Sequence, residues 1–206
     1  MPLYTNTPLP EVVKDITYVV GALPCWVSIK FTGIADRVFV GGALANNFLQ
    51  ENGIKVGKSM VSPKNFGLHK LTSTKKIILP IDATVSKGVV KDINDIQDND
   101  VIFDTGPKTL NLIEQEIKKA KYILWNGPLG AYEQGYVEPT LDLARHIASS
   151  TKNGVKTIVG GGDTLAAIAK LGIEDDFTFV STGGGAMLDF LSEGSLPGIK
   201  ALEKSI

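Results

Sequence analysis

The sequence predicts an α/β fold in three layers, a parallel sheet of about six strands with helices on both faces. Three observations carry that prediction. From residue 35 onward short β-branched runs alternate with segments of helical periodicity. The turns between them are rich in Gly, Pro, Asp and Asn. Apolar residues make up 43% and charged residues 21% of the 206, which suits one substantial core and is too hydrophobic for a disordered chain.

The expected strands are Val38 to Val40, Ile77 to Leu79, Val101 to Phe103, Tyr122 to Leu124, Thr157 to Val159 and Thr178 to Val180. Ile16 to Val20 could add a seventh. Strands separated by helical segments pair in parallel, which gives a Rossmann-like sheet. Three helices are marked by a glycine where a left-handed cap would sit: Ala43 to Glu51 before Gly53, Thr164 to Lys170 before Gly172, and Ala186 to Ser192 before Gly194. A longer helix, Lys108 to Lys121, puts Leu112, Ile113, Ile117 and Ala120 on one face and a Glu114 to Lys118 pair outside. Thr140 to Ser150 buries Leu141, Ala144, Ile147 and Ala148, with His146 partly exposed beside them. Asn52 to Lys75 is polar and reads as a connecting excursion. Its lysines Lys55, Lys58, Lys64, Lys70 and Lys75, with Lys76 just beyond, read as a solvated face rather than an anion site.

A net charge of −1 with mixed signs leaves no basic stripe, so no nucleic-acid partner is expected. The longest apolar runs fall far short of the roughly 20 residues that span a bilayer. The first residues lack the charged start and apolar core of a secretory signal, and a single Cys25 forms no internal disulfide. Both features point to the cytoplasm. Cys25 reads as an inert core residue, and neither His69 nor His146 belongs to a cluster with ligand spacing.

In an open parallel sheet, ligands bind beyond the carboxyl ends of the strands. There the sequence reads Gly41-Gly42, Asp82-Ala83-Thr84, Asp104-Thr105-Gly106-Pro107, Asn126-Gly127-Pro128-Leu129-Gly130, Gly160-Gly161-Gly162-Asp163-Thr164 and Thr182-Gly183-Gly184-Gly185. Two glycine triplets, each between a strand and a helix, let backbone N–H groups approach a polyphosphate. Asp163 beside such amides fits either a Mg²⁺ bridging to phosphate or a helix N-cap. There is no G-x-x-x-x-G-K-[ST], and no G-x-G-x-x-G follows a strand with an acidic residue beyond. A P-loop NTPase and a nicotinamide dehydrogenase are both disfavoured.

Taken together these loops resemble the C-terminal, nucleotide-binding half of phosphoglycerate kinase. The resemblance rests on Trp125-Asn126-Gly127-Pro128-Leu129-Gly130-Ala131-Tyr132-Glu133, on Gly160 to Thr164, and on Val180-Ser181-Thr182-Gly183-Gly184-Gly185-Ala186 followed by Leu196-Pro197-Gly198. Leu79-Pro80-Ile81-Asp82 and Phe103 to Pro107 fit two further family loops, so that residues 35 to 204 match nearly continuously. Residues 1 to 34 match poorly and are set apart from a nucleotide-binding domain over 35 to 206. Lys30 fits the second of two family lysines, and Trp26 stands in place of the first.

The resemblance implies ADP or ATP as substrate, with Mg²⁺. Gly41, Gly42 and Leu129 would border the adenine, Glu133 would take the ribose hydroxyls, and Asn126 and Pro128 would shape the same wall. Gly161, Gly162, Thr164 and the amides of Gly183 to Gly185 would face the phosphates. Asp163 would take the metal. Lys30, Gly183 and Gly184 are the implied catalytic positions. The reaction implied is glycolytic phosphoryl transfer between 1,3-bisphosphoglycerate and ADP, in a monomer. The half that binds 3-phosphoglycerate is missing, so the chain alone is expected not to turn over. A non-catalytic nucleotide-binding module and a Rossmann dehydrogenase domain are the alternatives.

Overall fold

The computed structural model describes residues 18–21, 25–63, 67–68, 71 and 73–203. His69, Lys64, Lys70, the Ile16 and Thr17 start of the candidate seventh strand and the side chains of Cys25 and Trp26 lie outside the described residues. The chain enters as β1 (Tyr18–Gly21) and α1 (Cys25–Ile34), then β2 (Arg37–Val40), α2 (Gly42–Glu51) and β3 (Ile77–Ile78). A three-strand excursion follows: β4 (Asp82–Val85), β5 (Val89–Asp92) and β6 (Ile102–Thr105). The second half runs α3 (Pro107–Ile117), β7 (Tyr122–Asn126), α4 (Glu138–Lys152), β8 (Lys156–Gly160), α5 (Gly162–Leu171), β9 (Phe179–Ser181), α6 (Gly184–Glu193) and α7 (Pro197–Glu203).

Six strands form one parallel sheet in the order β3-β2-β1-β7-β8-β9. Strands covered on both faces are continuously apolar, and neighbouring residues of β7 divide accordingly. Ile123 and Trp125 pack with Ile113, Leu143, Ile147 and Ile168 of α3, α4 and α5. Leu124 packs on the opposite side with Phe31, Phe48, Leu188 and Leu191 of α1, α2 and α6. The result is the expected three layers. Trp125 is fully buried, and burying a side chain of this size contributes about 2–3 kcal/mol. The glycine caps fall as the sequence indicated: Gly172 and Gly194 close α5 and α6 with φ of 65° and 75°. Glu114 and Lys118 pair at 2.7 Å.

Membership of the sheet differs from the expectation in two respects. The Val101 to Phe103 run becomes β6 in a separate antiparallel sheet, ordered β5-β4-β6, over a core of its own containing Val56, Ala83, Val85 and Ile96. The sixth parallel strand is instead β1, which lies between β2 and β7 and pairs with both. Asp82, expected in a strand-end loop, begins β4, and its buried carboxylate caps α3. It accepts from Thr109 N at 2.7 Å, Thr109 Oγ1 at 2.6 Å and Lys108 N at 2.9 Å. These are first-turn donors that the helix itself leaves unpaired. The helices α1 and α7 had no counterpart in the sequence reading.

Candidate functional site

The ends of β1, β2, β7, β8 and β9 lie at one edge of the sheet, since the register sets Gly21 beside Val40, Asn126 beside Gly160 and Gly160 beside Ser181. Beyond that edge the chain turns into α2, α5 and α6, so three helix N-termini converge there. In α5 the first helical bond runs from Leu165 N to Gly161 O, and in α6 from Met187 N to Gly183 O. The amides of Gly162, Asp163 and Thr164, and of Gly184, Gly185 and Ala186, therefore have no partner within their helices. Their positive dipole ends favour an anion.

The two N-termini touch. A Cβ on Gly184 would lie 2.5 Å from Gly161 N and 2.8 Å from Asn126 Oδ1. Gly161 itself has φ 99°, a region that favours glycine. The loop after β7 is held from three directions. Gly127 N donates to Thr164 Oγ1 at 2.8 Å, Leu129 N donates to Thr140 Oγ1 at 3.0 Å, and Trp125 Nε1 donates to Gly127 O at 2.9 Å. Between these anchors Asn126 is buried, and its Oδ1 has no hydrogen-bond partner among the described residues.

Next to this convergence a cleft of about 610 Å³ opens between α2, the antiparallel sheet and the turn after Leu129. Gly42, Ala45, Met60, Phe103, Leu129 and Ala131 are among its lining residues. Gly42 N donates to Leu129 O at 2.9 Å, which ties the start of α2 to the loop after β7. Such a cleft, mostly apolar with a few polar groups, suits a flat organic ring.

The site residues read from the sequence divide into two adjoining groups. Gly42 and Leu129 line the cleft, with Gly41 immediately before α2. Pro128 lies half-buried in the linking loop, and Glu133 is exposed on the 3-10 turn Tyr132–Gln134 at the cleft's rim. Asn126, Gly161, Gly162, Asp163, Thr164, Gly183 and Gly184 surround the paired N-termini. Thr164 needs a correction: it is fully buried and its hydroxyl holds Gly127, so its side chain does not face the site. Asp163 is exposed in the first turn of α5, where no side-chain cap is formed.

Lys30 is not brought to this site. Its ammonium pairs with Glu193 at the last residue of α6. At 1.5 Å per residue, that is about 13 Å from the amides at the other end of the helix. The mismatch has a simple cause: a lysine in the middle of α1 reaches the C-terminal end of α6 rather than its N-terminus. Thr140 is a residue the sequence reading missed. A buried threonine inside an amphipathic helix carries no local signal of what loop it holds.

Three comparisons place these features among known proteins. The family model described as phosphoglycerate kinase matches residues 27–194. The phosphoglycerate kinase of Oenococcus oeni is 39% identical over 178 residues, covering 82% of this chain and 44% of that protein. That of Chloroherpeton thalassium is 40% identical over 187 residues, covering 84% and 47%. The solved phosphoglycerate kinase of Coxiella burnetii superposes with a TM-score of 0.83 at 34% identity, covering 96% of this chain and 56% of that one. The chain thus spans about half the length of the relatives it matches.

Proposed function

The chain belongs to the phosphoglycerate kinase family, and from that premise we propose that it is the half that binds Mg-ADP and Mg-ATP at the strand-end crevice. The observation that carries the reading is the contact of two glycine-started helix N-termini, with Gly184 against Gly161, beside a cleft large enough for a nucleobase. The base would enter the cleft that Gly42 and Leu129 line, Glu133 would meet the ribose hydroxyls, and Asn126 and Pro128 would form the wall between base and phosphates. Amides of Gly162, Asp163 and Gly183 to Gly185 would receive the phosphate oxygens.

Mg²⁺ fits this site in one manner only. Among the described residues no group of three His, Cys, Asp or Glu could hold a metal ion, so a protein cage is not available. One exposed carboxylate, Asp163, beside phosphate-binding amides suits an ion that keeps several waters and takes its other ligands from phosphate. When bound, Mg²⁺ would supply neutralisation of the phosphate charge.

In this reading the reaction is glycolytic phosphoryl transfer between 1,3-bisphosphoglycerate and ADP in the cytoplasm, carried out with a second half that binds 3-phosphoglycerate. Lys30, the cation that α1 would bring, pairs instead with Glu193, at the far end of α6 from the amides. This favours a chain that binds nucleotide but does not turn over by itself, and it keeps the non-catalytic module as the second reading. The dehydrogenase alternative falls with the family assignment. The test is thermal melting with millimolar Mg-ADP, which should raise Tm by mass action. Asp163→Ala should weaken Mg-ADP far more than ADP in EDTA. No shift in Tm would refute the nucleotide site, and equal losses with and without metal would refute the metal role.

A further inference from the structure

Asp104, near the end of β6, is 3% exposed. Its Oδ1 accepts from Thr105 N at 2.8 Å, and its buried Oδ2 has no hydrogen-bond partner among the described residues. Cavities flank it on both sides. One is the 610 Å³ cleft; the other, of about 350 Å³, is lined by Thr84, Pro107, Tyr136 and Glu138 among others. Asp104 borders both.

The turn after β7 rests on this carboxyl group. A Cβ on Gly130 would lie 2.2 Å from Asp104 Cγ and 2.5 Å from the Phe103 carbonyl oxygen, so nothing larger than glycine fits above it. Ala131 N donates to Phe103 O at 2.7 Å, and the Tyr136 ring stacks on Phe103 with centroids 4.6 Å apart. Residues 129–131 and Gln134 form one wall of the larger cleft. Asp104 is thus the floor beneath the wall that would hold the base.

The charged groups around it are Lys58 in the wall of the larger cavity and Glu138 and Asp142 in that of the smaller. Asp82 lies two residues along β4 from Thr84, the residue opposite Asp104, and Asp92 is opposite Asp82 with Lys108 at 3.8 Å. None of these cations pairs with Asp104. Burial therefore dominates and pushes its carboxyl up to about 7, against the smaller opposing effect of its bonds to Thr105. A buried acid with one oxygen unpaired is tolerable when neutral and costly when charged.

We propose that Asp104 is a positioning residue for the base cleft. As the uncharged acid it lets residues 129–134 lie closed on β6; as the carboxylate it draws water from the flanking cavities and loosens them. The ligand half of this idea rests on the nucleotide reading; the loop half does not.

The experiment is calorimetric titration of wild type and Asp104→Asn with Mg-ADP from pH 6 to 8, together with the amide shifts of Gly130 and Ala131 in wild type over the same range. Taking the ratio of the two proteins cancels the titration of the nucleotide's own phosphate. Wild type should weaken relative to Asp104→Asn by up to about tenfold at pH 8, one unit above the midpoint. The Gly130 and Ala131 amides should titrate near pH 7 without ligand. Parallel affinities, or amides unmoved by pH, would overturn the proposal. If Asp104→Asn does not fold, the wild-type amides alone decide. If Mg-ADP binds neither protein at any pH, the nucleotide reading fails while the amide titration still tests Asp104.

Discussion

Gly127 donates its amide to Thr164 Oγ1 at 2.8 Å, a bond that ties the loop after β7 to the first turn of α5 across 37 residues of sequence. Both partners are buried. Replacing Thr164 with Val keeps the shape and removes the acceptor, leaving a buried N–H unpaired. The expected loss is about 1–3 kcal/mol, measurable by urea denaturation. Thr164→Ser should retain most of the stability, because it keeps the acceptor.

Gly184 and Gly185 offer a matched pair. A methyl group on Gly184 would meet Gly161 N at 2.5 Å, whereas one on Gly185 meets nothing within 4 Å. Gly184→Ala should therefore force α5 and α6 apart at a cost of about 1–3 kcal/mol and weaken Mg-ADP. Gly185→Ala should leave Tm within about a degree of wild type, because a site with room costs little. Equal effects of the two, read by thermal melting, would count against the close approach of the two helices.

The sequence made some of this plain and hid the rest. Gly172 and Gly194 announced the ends of α5 and α6, because a left-handed cap needs glycine and a helix-period segment preceded each one. Both glycine triplets stand where the sequence put them, ahead of α5 and α6, with Asp163 in the first turn of α5. β6 was not, since Ile102-Phe103-Asp104-Thr105 has the composition of any strand, and its pairing is decided by the tight turn at Lys87 and Gly88, with φ of 66° and 72°. That turn folds β5 back on β4, and β6 then pairs with the other edge of β4. Helix α1 was hidden because apolar residues run all round it, so no helical stripe stands out. The position of Lys30 depends on how α1 packs against α6, and no local pattern encodes that.

Asp82 replaces the missing side-chain cap of α3, where Gly106 stands at the N-cap with no room for a side chain because the Asp82 carboxylate lies 2.3 Å from any Cβ there. Asp82→Ala removes three bonds and should cost about 2–4 kcal/mol. Asp82→Asn should cost less, since one oxygen still accepts. Chemical denaturation of both variants checks the order.

Asp104 also predicts how stability varies with pH. Its carboxyl titrates at about 7 in the folded chain against an ordinary value of 3.8. Between those values the folded state binds more protons than the unfolded one, so the contribution of Asp104 to stability falls as pH rises from about 4 to 7 and is flat above. Asp104→Asn should lack that fall, gaining on wild type by as much as about 4 kcal/mol between pH 4 and pH 8. Urea denaturation of both proteins at the two pH values gives the difference directly.

The location of the nucleotide is open to one direct measurement, the mapping of backbone amide shifts during titration with Mg-ADP. The largest changes are expected at Gly162, Asp163 and Thr164, at Gly183 to Ala186, and at Gly42 and Leu129, with Lys30 and its neighbours in α1 nearly unmoved. Saturable shifts confined to other surfaces, or none at millimolar Mg-ADP, would contradict the assignment of the converging helix N-termini as the nucleotide site.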